Sequence, residues 1–139
     1  MLIRVMLGLA TACAAAVQPD SGVKHFQLSV PAAVEASQMH LLLRDVVVAR
    51  NAPIVLRAYA VGADGVRVFL GTTALPAVSR DATGTATTSL LRMNVTSGMR
   101  RWRSAAVSAS TVNIEIGSSG RDSTERVPWS VRAIELVRP

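Results

Sequence analysis

The run IVLRAYAV at residues 54–61 alternates with period two. Ile54, Leu56, Ala58 and Ala60 fall on one side, Val55, Arg57, Tyr59 and Val61 on the other. Side chains of a strand point to opposite faces in turn, so this pattern fits a β-strand with one face in a core. It recurs along the chain between turn residues. HFQLSV at residues 25–30 alternates and stops at Pro31, and HLLLRDVVVA at residues 40–49 is apolar almost throughout, as a strand covered on both faces would be. Gly62-Ala63-Asp64-Gly65 predicts a tight hairpin, since Asp and Gly both tolerate positive φ, and VRVFL at residues 66–70 is the returning strand. Gly71 and Pro76 bracket an irregular edge segment, and residues 79–84 form a polar loop. Further strands are expected at residues 85–95, 111–116 and 127–137, with a loop at residues 117–126 between the last two. One short helix interrupts the pattern: Thr96 or Ser97 can cap it, and Val95, Met99, Trp102 and Ala106 recur on one face, with Gly98 weakening its start. About seven or eight short antiparallel strands and one helix describe an all-β sandwich.

The N-terminus has a different character. Residues 1–4 include the positive Arg4, residues 5–12 form an apolar run, and small residues follow at Ala12-Cys13-Ala14-Ala15-Ala16. A basic start, a short apolar stretch and an A-x-A-like junction describe a secretory signal peptide. The run is too short to cross a bilayer core of about 30 Å as a helix. The expected organisation is a signal peptide at residues 1–16, an N-terminal segment with the first strand at residues 17–39, and the sandwich at residues 40–139. An exported protein follows, periplasmic or secreted, with no transmembrane span once the signal is removed. Cys13 is the only cysteine. Lipid attachment there is the secondary alternative, because the leucine usual three residues earlier is replaced by Ala10, with Leu9 one step too far back. If cleavage follows Ala16, the mature chain has no thiol, so neither a disulfide nor a thiolate metal site can form.

Fifteen basic against nine acidic residues give a net charge of +6, and Lys24 is the sole lysine. The arginines are spread among apolar residues, as solvent-facing strand positions are, so no nucleic-acid partner is expected. Catalytic constellations are scarce. Two histidines, His25 and His40, cannot build a binuclear copper centre, which needs about six imidazoles. No Gly-x-Ser-x-Gly elbow or glycine-rich phosphate loop is present, and nothing in the spacing joins either histidine to a serine and Asp45. The carboxylates are scattered. These counts predict a chain that is not an enzyme and carries neither metal nor cofactor. The most suggestive local feature is Arg100-Arg101-Trp102-Arg103, where three guanidiniums flank an indole. Arg100, Arg101 and Arg103 are candidates for binding a partner, although Trp102 shares the apolar stripe of the helix and the arginines could simply face water. Asn94-Val95-Thr96 is a glycosylation sequon on a strand-like segment.

The order of motifs resembles a known family. PIVLRAYAVGADG, VFLGTTALPAV, TTSLLRMNVTSGMRRW, STVNIEI and SVRAIELV, in that order, are similar to the C-terminal β-sandwich of plant-type polyphenol oxidases, the catechol oxidases and tyrosinases. Tyr59, the stretch Phe69-Leu70-Gly71-Thr72, Pro76, Thr87-Thr88, the helix carrying Trp102, and Ile114 stand where that family has its strand-ending tyrosine, its Phe-x-Gly-[ST] strand and the elements after it. The resemblance covers residues 40 to 137. It implies a non-catalytic lid that packs over a copper domain. Here the preceding segment reads as a signal instead, so a copper oxidase or other exported protein would have to be met in trans. The alternative is a periplasmic or envelope-associated ligand-binding module, lipidated or not, that uses its loops and the arginine–tryptophan cluster.

Overall fold

The structure, a computed structural model, describes residues 22–31, 38–48, 53–75, 86–120 and 126–138. Residues 1–16, read above as a signal peptide, together with Cys13, Pro76 and the expected polar loop at residues 79–84, lie outside them. The described residues form eight strands and one helix: β1 (Val23–Ser29), β2 (His40–Val48), β3 (Ile54–Val61), β4 (Arg67–Leu75), β5 (Ala86–Asn94), α1 (Thr96–Ala105), β6 (Thr111–Ser119), β7 (Trp129–Ser130) and β8 (Ala133–Val137). One sheet runs β1-β6-β3-β4. In the other, β5 flanks one side of β2 while β7 and β8 share its other side. Every pairing is antiparallel.

The two sheets enclose a single core. From the first sheet come Ile54, Leu56, Ala58, Ala60, Val112, Ile114 and Ile116, and from the second Leu41, Leu43, Val46, Val48, Met93, Trp129 and Leu136. The alternation predicted for β3 is borne out residue for residue. β2 alternates too, so it is not covered on both faces as its composition suggested. Its phase slips once: Leu41 and Leu43 face inward, then Val46 and Val48. Asp45, with φ of 55°, absorbs the slip. The same step appears alongside, from Leu136 and Ile134 to Trp129, so residues 131–132 divide one C-terminal run into β7 and β8.

Several boundaries differ from the sequence reading. The segment from Gly71 to Leu75 is regular strand, paired with residues 54–58 of β3, and the irregularity is a bulge at Leu70. β6 runs on through Gly117, Ser118 and Ser119, where a loop was expected, because Ser119 still pairs with Val55 and Gly117 with Val23. The hairpin between β3 and β4 puts only Gly65 at positive φ (85°). Asp64 instead accepts a hydrogen bond from the Val66 amide at 3.0 Å, while the Gly65 amide donates to the Gly62 carbonyl at 2.9 Å. This is the longer hairpin geometry, in which a left-handed glycine closes the loop.

α1 buries Met99 and Trp102 together with Val95, the stripe that helical spacing predicts. Neither Thr96 nor Ser97 caps it. Val95 holds the N-cap position without a side-chain bond, and the Thr96 hydroxyl accepts from the Met39 amide at 3.0 Å, tying the helix to the start of β2. Gly98 lies against β4. A Cβ there would come within 2.6 Å of the Phe69 carbonyl, so the glycine that costs helix propensity permits the docking.

Candidate functional site

The β3–β4 hairpin and the first turns of α1 meet in a basic surface with an aromatic centre. Tyr59 and Phe69 are cross-strand partners. Their rings meet edge to face with centroids 5.6 Å apart, a favoured aromatic arrangement. Both point away from the core, and Phe69 remains 41% exposed. The Arg67 guanidinium lies 4.1 Å from the Tyr59 ring centroid and bonds Glu115 on β6 at 3.2 Å. It is thus held above the aromatic pair. On the other side Arg101 donates to the Phe69 carbonyl at 2.8 Å.

The arginine cluster read from the sequence is divided by this geometry. Arg103 folds back over Trp102, its guanidinium 4.9 Å from the ring, and donates to the carbonyls of Ala106, Val107 and Ala109 at 2.8 to 3.1 Å. It ties down the chain leaving α1. Arg100 and Arg101 are exposed, and Arg101 joins the Phe69 surface through its bond to the Phe69 carbonyl. Trp102 is buried in the core. Phe69 and Arg67 were quoted in the sequence only for strand order. An exposed aromatic flanked by arginines on a neighbouring element requires the pairing of β3 with β4 and the docking of α1, and local sequence encodes neither.

The motif residues Phe69-Leu70-Gly71-Thr72 straddle the bulge. Leu70 turns into the core beside α1, and Gly71 is buried where a Cβ would lie 2.6 Å from the Asn94 carbonyl. Thr72 donates its hydroxyl to the Leu56 carbonyl at 3.1 Å. These residues set how β4 meets the end of β5.

The histidines do not converge with the other groups. His25 is exposed on the outer face of β1, opposite Glu115. His40 begins β2, and its Nδ1 is buried without a hydrogen-bond partner among the described residues. Asp45 lies five residues further along the same strand, roughly 16 Å away at strand rise, and is paired with Arg132. No group of three or more His, Cys, Asp or Glu residues suited to a metal occurs among the described residues. Asn94 ends β5, with its side-chain oxygen accepting from the Thr96 amide at 3.0 Å.

Two buried polar features escaped the sequence reading. Lys24, which lies just before the strand read at residues 25–30, is an inward residue of β1 and only 7% exposed. Its amine lies 5.9 Å from the centroid of the Trp129 ring, and burial holds its pKa below the ordinary lysine range. Ser118 is fully buried. Its hydroxyl donates to the Val127 carbonyl and accepts from the Val127 amide at 3.1 Å, stitching the end of β6 to the approach to β7. The Gly22 carbonyl next to it accepts from the Ser118 amide at 2.8 Å and from Trp129 Nε1 at 3.1 Å.

Two packed antiparallel sheets with one docked helix define a β-sandwich. No family model matches the chain, and no curated protein matches it. Solved structures do share the fold. One is latent aurone synthase (polyphenol oxidase) from natural source, similar with a TM-score of 0.57 at 12% sequence identity over 84% of this chain and 24% of that chain. Another is recombinantly expressed latent aurone synthase (polyphenol oxidase), with a TM-score of 0.56 at 14% identity and the same coverage. The chain therefore spans 24% of the length of these proteins. The resemblance to polyphenol oxidases drawn from motif order holds in three dimensions, as a likeness of fold.

Proposed function

We propose that this chain is an exported, non-catalytic accessory domain that docks on a partner protein through the surface centred on Phe69. The observation that carries the reading is the exposed Phe69 ring with Arg67 and Arg101 on either side. An aromatic anchor within an arginine rim is the composition that dominates protein–protein binding energy. The likeness to one part of a much longer polyphenol oxidase supports a domain that works against another protein surface. A copper oxidase exported by the same cell is the partner class this suggests, and the excess of arginine over acidic residues favours an acidic docking face. Export rests on the N-terminal residues.

The test is recovery of a partner from the periplasm or medium on immobilised protein, with oxidase activity measured on what is retained. Phe69→Ala is expected to weaken retention by about 2 kcal/mol or more, and Arg67→Ala by less, because Arg67 is partly engaged with Glu115. Retention unchanged in both variants would remove the surface from consideration.

A second reading, an envelope-associated ligand-binding module, is favoured by a shallow depression of about 360 Å³ lined by His25, Gln27, Val61 and Asn113. Phe26 and Ile114 line it as well, so it offers a ligand apolar surface beside three polar side chains. If anionic polymers or envelope fractions bind the wild type, and Arg100→Ala, Arg101→Ala and Gln27→Ala all leave that binding unchanged, this reading fails.

A further inference from the structure

The four outer edges of the two sheets are not alike. β1 carries Lys24 pointing inward and is followed by Pro31, two devices that discourage a further strand. β4 is bulged at Leu70, and Arg101 occupies its Phe69 carbonyl. The edge formed by β7 and β8 follows Pro128 and is split at Val131 and Arg132. β5 shows no such guard from Thr88 onward among the described residues: it has no proline or bulge there, and no described strand pairs with its far side. Its last residues, Met93 and Asn94, meet Gly71 of β4, which leaves Thr88 to Arg92 as the stretch open among the described residues.

The outer face beside this stretch has a particular charge pattern. Arg44 is bonded to Glu135 at 3.0 Å, and Arg132 is paired with Asp45, so the charges on β2 and the C-terminal run cancel. Arg92 is exposed and has no ion pair among the described residues. Leu90, two residues before it on the same face, is 41% exposed. An added strand would place one side chain opposite each.

We propose that the edge of β5 from Thr88 to Arg92 receives an extended segment of a partner protein as an added antiparallel strand, and that this segment carries a carboxylate two residues ahead of an apolar side chain. Main-chain hydrogen bonds to a free edge supply affinity, and alternate side chains supply selection. The antiparallel sense follows the rest of the sheet and puts the carboxylate against Arg92 and the apolar group against Leu90. A second copy of this chain is disfavoured as occupant, because it would bring a second strong excess of positive charge.

The probe is a pair of short blocked peptides of alternating valine and threonine. They are identical except for glutamate or lysine two residues ahead of a leucine. With the full chain at low salt, the glutamate peptide is expected to bind about tenfold or more tightly than the lysine peptide by fluorescence anisotropy. Amide exchange should slow at Thr88 to Arg92. Arg92→Glu should reverse the preference, while Arg138→Glu, the same change of charge on the far side of β2, should keep it. Equal binding of both peptides, binding of neither, an equal effect of the two variants, or protection on another strand would overturn the proposal. So would concentration-dependent pairing of two copies through β5.

Discussion

A methyl group at Gly98 would lie inside van der Waals contact of the Leu70 backbone, where no flexible side chain can move aside. Gly98→Ala raises helix propensity and still is expected to destabilise the fold, by about 1–3 kcal/mol in denaturant unfolding, because overpacking against backbone outweighs propensity. Ser118 shows the opposite problem, a buried polar atom that is needed. Ser118→Ala would strip the Val127 amide and carbonyl of their hydroxyl partner, with an expected cost of about 1–3 kcal/mol by the same measurement. Neither role is legible in sequence. Gly98 reads as a weak helix residue and Ser118 as part of a Gly-Ser loop, since both roles are conferred by residues far along the chain.

The helix shows how an element can be read correctly on one face and misread on the other. The stripe of Val95, Met99 and Trp102 follows from a spacing of 3.6 residues and is buried as expected. The three arginines beside it could not be sorted by spacing, because their tasks depend on what lies beyond the helix. Arg103 serves the carbonyls that follow α1, whereas Arg101 serves β4. Arg103→Ala should therefore lower stability by roughly 1–3 kcal/mol, and Arg103→Lys should restore only part of it, because the three bonds all leave Nη1 at the far end of a side chain whose flat guanidinium also lies over the Trp102 ring, and a shorter-reaching, strongly hydrated ammonium loses that contact. Arg100→Ala and Arg101→Ala are expected to cost less than Arg103→Ala, by thermal unfolding with circular dichroism. Strands were the most legible elements in β3, where turn residues bound a clean alternation. They were least legible in β4 and β6, where Gly71 and Gly117 look like breaks but are paired positions buried under neighbouring chain.

At the scale of the molecule, Lys24 links stability to solubility. Its folded pKa is depressed by burial, so the unfolded chain binds the proton more tightly. The penalty of burying the charged amine applies at neutral pH and is relieved as pH rises through the folded pKa toward the ordinary value of about 10.4. Wild-type protein is expected to gain stability over that alkaline range relative to Lys24→Met, measured as the difference in Tm between the two. At pH 7 Lys24→Met should be the more stable, by roughly 1–3 kcal/mol. It should also self-associate more readily in sedimentation, since the inward charge that guards the β1 edge is gone.

The sandwich itself was written in the sequence. Period-two alternation, turn residues between the runs and one 3.6-residue stripe depend only on neighbours along the chain, and each dictates which face must leave water. Motif order carried the likeness to polyphenol oxidases for the same reason. Tertiary structure alone decided which strands became edges, which glycines were contact points, which arginine was structural, and that Phe69 stands exposed between Arg67 and Arg101. Those properties belong to pairs of residues brought together from distant parts of the chain, where β4, α1 and β6 meet, and no periodicity within one segment can specify them.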